Sequence, residues 1–310
     1  MTLPRVTAGL GGPGPQAIFR AMAPRPDAPD PDDERFTPVD RVAWIAGARG
    51  PMAPDWVATE EPLEIRIGQT PIAVVMRTPG HDEALVRGFL LSERIVADPA
   101  QILALRHCTN VDEPEAEDNV MLVRLRDDAE VDLAALRRNL FASSSCGVCG
   151  KASIAQAMAP VAGPERGPLP FGLELAAATL AALPERLRAA QEVFEHTGGL
   201  HGVGLFSAAG ELLAAAEDVG RHNAVDKVIG WAAGEGVALE ACALMVSGRV
   251  SFEITQKAVA VGIPAIAAVS APTSLAVSLA REANLTLVCF VRDQRMCVYA
   301  GEQRIRGSRP

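Results

Sequence analysis

The chain has 310 residues, 49% hydrophobic and 22% charged, with 29 Lys+Arg against 38 Asp+Glu and a net charge of −9. That apolar content argues against global disorder, and the acidic balance argues against a dedicated nucleic-acid binder. Six Cys in this length do not make a disulfide scaffold. No apolar run reaches the roughly 18 residues of a membrane span, and the N-terminus lacks the apolar stretch of a signal peptide. A cytoplasmic protein with no nucleic-acid or membrane partner is expected.

Residues 1–40 read as a disordered tail, with eight of the 23 Pro and the acidic stretch Asp30-Pro31-Asp32-Asp33-Glu34. Residues 41–140 read as a small α+β unit. In it, 62–67 alternate apolar and polar like a half-buried strand, and 71–77 return after the turn Gly68-Gln69-Thr70. Thr78-Pro79-Gly80 breaks the chain, His81–Val96 reads as a helix, and 119–126 as another strand. Residues 141–160 read as a mobile loop and helix carrying a CxxC motif. In 161–310, residues 174–194 are helical, with Pro184 kinking that helix or starting a second one.

From about 200 onward, strands at 201–206, 211–216, 241–247, 264–270, 285–291 and 296–300 alternate with helices at 221–233, 251–261 and 273–283. Such alternation predicts an α/β sheet covered on both faces. Ligands in such sheets bind where loops leave the carboxyl ends of strands. The polar loops 217–223, 247–253, 270–274 and 292–295 fall there and predict one crevice suited to a nucleotide-like ligand.

The strongest chemical signal is Ser143-Ser144-Ser145-Cys146-Gly147-Val148-Cys149-Gly150-Lys151. A helix start and an adjacent cation lower a thiol pKa and populate the nucleophilic thiolate. The motif alone leaves four readings open. These are half of a zinc site, a thioredoxin-like oxidoreductase, sulfur transfer through a Cys persulfide, and a structural turn with incidental thiols. Cys108, Cys242, Cys289 and Cys297 read as small buried hydrophobes.

A second constellation runs from Glu217 to Lys227. It places Asp218, Arg221, His222 and Asn223 at a strand-to-helix junction, either as an anion site or as ordinary capping. Gly199 and His201, in Thr197-Gly198-Gly199-Leu200-His201, lead into a strand and let backbone approach a ligand or another loop. Ser247 and Arg249 stand at the next junction, and Ser270 and Thr273 at the one after. Simple N-caps explain Ser251 and Thr273 equally well. At these strand-to-helix junctions neither a Walker lysine loop nor G-x-G-x-x-G occurs.

Taken together, these stretches resemble the FdhD family, the sulfurtransferase needed to activate formate dehydrogenase. The resemblance runs from about 40 to 306. It is carried by Arg77-Thr78-Pro79-Gly80-His81-Asp82-Glu83, Gly88-Phe89-Leu90-Leu91-Ser92-Glu93, Ser144 to Lys151, Thr197 to His201, Glu217 to Lys227, Ser247-Gly248-Arg249, Ser270 to Ala276 and Phe290 to Tyr299. The chain departs from the family at Arg94, where a Gly is expected, and in its Pro-rich tail.

The resemblance implies a C-terminal cytidine-deaminase-like α/β layered domain and a homodimer. It also implies that a cysteine desulfurase loads sulfur onto Cys146 as a persulfide. The sulfur then passes to the molybdenum bis(guanine dinucleotide) cofactor, with a guanine nucleotide as its analogue, for formate dehydrogenase. Cys149 and Lys151 assist. Phe290, Val291, Arg292, Asp293, Gln294 and Arg295 match the segment in contact with the cofactor. No resident metal is expected. The alternative is a cofactor-binding chaperone without sulfur transfer.

Overall fold

The computed structural model describes residues 29–108, 118–129, 131 and 168–307. It opens with a hairpin, β1 (Phe36–Ile45) and β2 (Ala48–Ala58), turned at Ala46-Gly47. Order therefore begins before residue 41, inside the stretch expected to be a tail. Pro38, Pro51 and Pro54 hide these strands in the sequence. A two-stranded ribbon has two edges, so a residue without an N–H is tolerated there.

A four-stranded sheet follows, in the order β4-β3-β6-β5. Its strands are β3 (Glu61–Ile67), β4 (Thr70–Arg77), β5 (Ile102–His107) and β6 (Val120–Leu125). Strand β5 is not evident from the sequence; its pattern is half-exposed and only briefly alternating.

Helix α1 (Asp82–Ser92) stops four residues before the expected end. The chain closes it with Ile95 N–H donating to Leu90 O and Arg94 N–H to Leu91 O. This is the Schellman pattern, and it puts Arg94 at φ 57, where glycine is usual.

Helix α2 (Ala177–Ala189) continues past Pro184, and the separate helix α3 (Glu192–Thr197) begins only after it ends. Leu180, Leu183 and Leu187 are buried on both sides of the proline, and that packing offsets the lost hydrogen bond.

The large sheet has the order β13-β12-β11-β10-β8-β9. Its strands are β8 (His201–Ser207), β9 (Leu212–Asp218), β10 (Cys242–Val246), β11 (Ala265–Ala268), β12 (Thr286–Arg292) and β13 (Arg295–Ala300). Helices α4 (Arg221–Gly234), α5 (Phe252–Val261) and α6 (Ser274–Glu282) cover one face, and α2 covers the other. The molecule is thus of mixed α/β class, as the alternation predicts. A short pair, β7 (Leu175–Ala176) with β14 (Ile305–Arg306), closes the chain.

One apolar core joins the two sheets. Leu63 and Ile65 of β3 meet Leu85, Val86 and Leu90 of α1, and these continue into Val225, Val228 and Ile229 of α4. The helices α1 and α4 touch backbone to backbone. A Cβ on Gly88 would sit 1.8 Å from Asp226 O, and one on Gly230 1.8 Å from Ala84 O. Below this contact lies an ionic cluster. Lys257 Nζ is 2.8 Å from Asp226 and 2.9 Å from Glu93, and Ser92 Oγ donates to Asp226 at 2.6 Å. Burial pushes Asp226 up to about 6, against the pull of Lys257. Burial also opposes the charge on Lys257, but Asp226 and Glu93 outweigh it and hold the ammonium above its ordinary value.

Candidate functional site

Strands β10, β11 and β12 are mutually parallel, and β9 runs the same way because it and β10 both pair antiparallel with β8. The carboxyl ends of these four strands therefore share one edge with the start of β8. The four loops singled out in the sequence all leave this edge.

At the β8–β9 end, His201 pairs with Asp218 across the strands. A Cβ on Gly248 would lie 3.2 Å from His201 Nδ1, so the 247–251 loop sits on that imidazole. Ser247 Oγ accepts from Gly202 N–H at 2.9 Å and ties the same loop to β8. Burial lowers the pKa of His201 first and the Arg221 guanidinium second, Arg249 adds to both, and Asp218 opposes them. Arg221 is half-buried, and its Nε has no partner among the described residues. Arg221 and Arg249 thus form a cationic patch beside the His201 imidazole, which burial and both guanidiniums keep neutral.

His222 faces α5, with Nε2 3.4 Å from Ser251 Oγ and 3.9 Å from Glu253. Burial, with help from Arg221 and Lys257, pushes it down to about 4. It is neutral at neutral pH.

Asp218 and Asn223 point into the scaffold rather than the crevice. Asp218 is fully buried and accepts from Thr78 N–H, Gly220 N–H and Asn223 Nδ2, while Lys227 Nζ lies 2.9 Å away. Asn223 also donates to Met76 O, and Lys227 to Thr78 O. The cluster fastens the 76–82 loop to the β9–α4 turn. Lys227 and Thr78 are site-supporting residues that sequence reasoning missed as partners, because they stand far apart in the chain. Glu217 likewise serves the frame, accepting from Val193 and Phe194 N–H at the start of α3.

At the other end of the edge, Ser247, Val269 and Arg292 to Gln294 line a cavity of about 720 Å³. The β12–β13 turn holds Asp293 and Gln294 at φ 50 and 59, and Phe290 bulges at φ 55 against Tyr299. Three non-glycine residues with positive φ in one hairpin store strain of the kind found at functional sites. Arg292, Asp293, Gln294 and Arg295 are exposed, whereas Val291 is buried beneath α2. Ser270 O accepts from Phe290 N–H, and Thr273 Oγ1 accepts from Ala276 N–H as a plain N-cap. Gly199 is exposed near Ala58 of β2. The opposite wall comes from α2 and α3, with Arg188 stacked 4.7 Å over the Phe194 ring. These wall residues read in the sequence as ordinary amphipathic helix and carried no signal.

Cys146, Cys149 and Lys151 lie outside the described residues. Of the other thiols, Cys108, Cys242 and Cys289 are buried as expected, but Cys297 is exposed. It sits on β13, an edge strand, so half its positions face outward. Burial pushes Cys289 up to about 12 and raises Cys242, so neither is a ready nucleophile. Among the described residues no cluster of His, Cys, Asp and Glu could hold a metal, and no helix is long and apolar enough to cross a membrane.

Residues 58–306 match the FdhD/NarQ family. The chain belongs to the FdhD/NarQ family. It is 49% identical over 275 residues to "Sulfur carrier protein FdhD" of Nocardia farcinica, covering 88% of this chain and 96% of that one. It is 50% identical over 270 residues to the protein of that name from Mycobacterium tuberculosis, covering 86% and 97%. The Anaeromyxobacter dehalogenans protein of that name is 46% identical over 287 residues, covering 87% and 98%. Among solved structures, a formate dehydrogenase accessory protein from Desulfotalea psychrophila superposes with a TM-score of 0.67. That match covers 87% of this chain and 99% of that one. At 24% identity it shows the shared fold.

Proposed function

We propose that this protein is a sulfur carrier that serves formate dehydrogenase. A cysteine desulfurase supplies the sulfur, Cys146 carries it as a persulfide, and the molybdenum bis(guanine dinucleotide) cofactor receives it as bound substrate. The near full-length relationship to sulfur carrier proteins, in a chain that contains Ser144-Ser145-Cys146-Gly147-Val148-Cys149-Gly150-Lys151, supports this reading above all else.

In the first step the Cys146 thiolate attacks the outer sulfur of the donor persulfide. The donor cysteine leaves as a thiolate, and Lys151 stabilises the new anionic sulfur. In the second step the Cys149 thiolate attacks Cys146 Sγ and expels the terminal sulfur as hydrosulfide. The resulting disulfide is reopened by an external thiol reductant. The cavity beside Arg292 receives the cofactor, and the patch of Arg221 and Arg249 beside His201 attracts its phosphates. A homodimer working in the cytoplasm belongs to the same proposal.

Intact-mass measurement after incubation with a cysteine desulfurase and cysteine tests it. A gain of one sulfur is expected in the native protein and none in Cys146→Ala. An equal gain in both proteins would remove Cys146 from the role.

A further inference from the structure

The wall of the cavity opposite the β12–β13 turn contains a polar side chain that makes no hydrogen bond to the described residues. Gln191, between α2 and α3, lines the cavity and is only 5% exposed. Its backbone is in use, since its N–H donates to Arg188 O and its carbonyl accepts from Glu195 N–H. Its side-chain amide has no hydrogen-bond partner among the described residues, and it does not cap α3. Neither amide atom is among the unpartnered polar atoms sealed from solvent, so both remain open to a ligand that enters the cavity.

The amide is also held in place. A Cβ on residue 202 would lie 2.4 Å from Gln191 Nε2, so only a glycine there leaves room for the side chain in this pose. Phe194, backed by Arg188, offers an aromatic surface on the same wall. Glu185 adds a carboxylate that has no partner among the described residues.

A planar amide, a carboxylate and an aromatic ring lining one cavity match one kind of heterocycle edge. We propose that Gln191 determines ligand specificity by reading the 2-amino-4-oxo-pyrimidine edge that guanine and pterin share. Its carbonyl oxygen accepts from the ring N–H, and its NH₂ donates to the ring carbonyl. Glu185 accepts from the exocyclic amine. Adenine presents a bare ring nitrogen where the guanine edge has its N–H, and the Glu185 carboxylate offers that acceptor no donor. The inference rests on the cofactor reading given above and names the residue that selects within it.

Isothermal titration of the full chain with GDP, ADP and 6-carboxypterin tests it, using Gln191→Met and the isosteric Gln191→Glu, with circular dichroism to show that both variants fold. The native protein is expected to prefer GDP over ADP. Both variants are expected to lose at least about tenfold in affinity for GDP or for the pterin, and the GDP-over-ADP preference should collapse. Loss confined to GDP puts the nucleotide end at Gln191; loss confined to the pterin puts the pterin end there. Unchanged affinities and preference in both variants would overturn the inference while leaving the cofactor reading intact. A native protein that binds neither GDP nor the pterin would overturn both.

Discussion

Replacing Gly88 by Ala tests the contact that joins the two halves of the core. The added Cβ would stand 1.8 Å from Asp226 O and 2.9 Å from Asp226 Cα, both backbone atoms inside α4. An ordinary contact needs roughly 3.5 Å, so α1 and α4 must separate by about 1.5 Å. That movement stretches two bonds between the helices, Ser92 Oγ to Asp226 at 2.6 Å and Arg87 Nη1 to Gly230 O at 3.3 Å, and strains the hold of Lys257 of α5 on Asp226 and Glu93, at 2.8 and 2.9 Å. Overpacking alone costs about 1–3 kcal/mol. A loosened buried ionic cluster adds to it, and the helix preference of Ala returns about 1 kcal/mol. The net expectation is a loss of about 3 kcal/mol in urea unfolding. Gly230→Ala should behave the same way, since it meets Ala84 O at 1.8 Å. Gly172→Ala, with nothing within 4 Å, is the control and should stay within about 0.5 kcal/mol of the native protein. A Gly88→Ala protein as stable as that control would refute the reasoning.

Asp218→Ala leaves the buried Lys227 ammonium without its counter-charge and Thr78 N–H without an acceptor, so a loss of about 3–5 kcal/mol is expected in denaturant unfolding. His222 is held near 4 in the folded protein but titrates near 6.5 when unfolded. Protons therefore bind the unfolded chain first, and stability is lost as pH falls from about 6.5 to 4. Relative to His222→Gln, the native protein should lose on the order of 2–3 kcal/mol over that window; parallel pH–stability curves would contradict it. Arg94→Gly relieves the left-handed residue after α1 and should raise stability by about 0.5–1 kcal/mol in the same assay.

Much of the architecture is legible because burial imposes a period. Strands β3, β4, β6 and β8 to β13 and helices α4 to α6 lie within a few residues of where the apolar pattern puts them. The pattern fails where no period is imposed. The hairpin of β1 and β2 has partly exposed faces and three prolines, and β5 is only half-buried. Helix α1 ends early because backbone bonds from Arg94 and Ile95 close it, which no side-chain pattern announces.

The site divides in the same way. The sequence locates the polar loops at one sheet edge, since each follows the carboxyl end of a strand in an alternating α/β pattern. It does not sort the side chains within them. Asp218, Arg221, His222 and Asn223 look alike as a polar run. Yet Asp218 and Asn223 are consumed by Met76, Thr78 and Lys227, while Arg221 keeps a free Nε among the described residues.

By itself the chain determines its mixed α/β class, its family and the thiol motif at Cys146, because these depend on composition, local period and short spacing. Tertiary structure alone decides that Gln191 faces a cavity rather than solvent, that Thr78 meets Asp218, and that Gly88 touches Asp226. Each of these joins elements distant along the chain through a contact a few ångströms long, and local pattern holds no information about such distances.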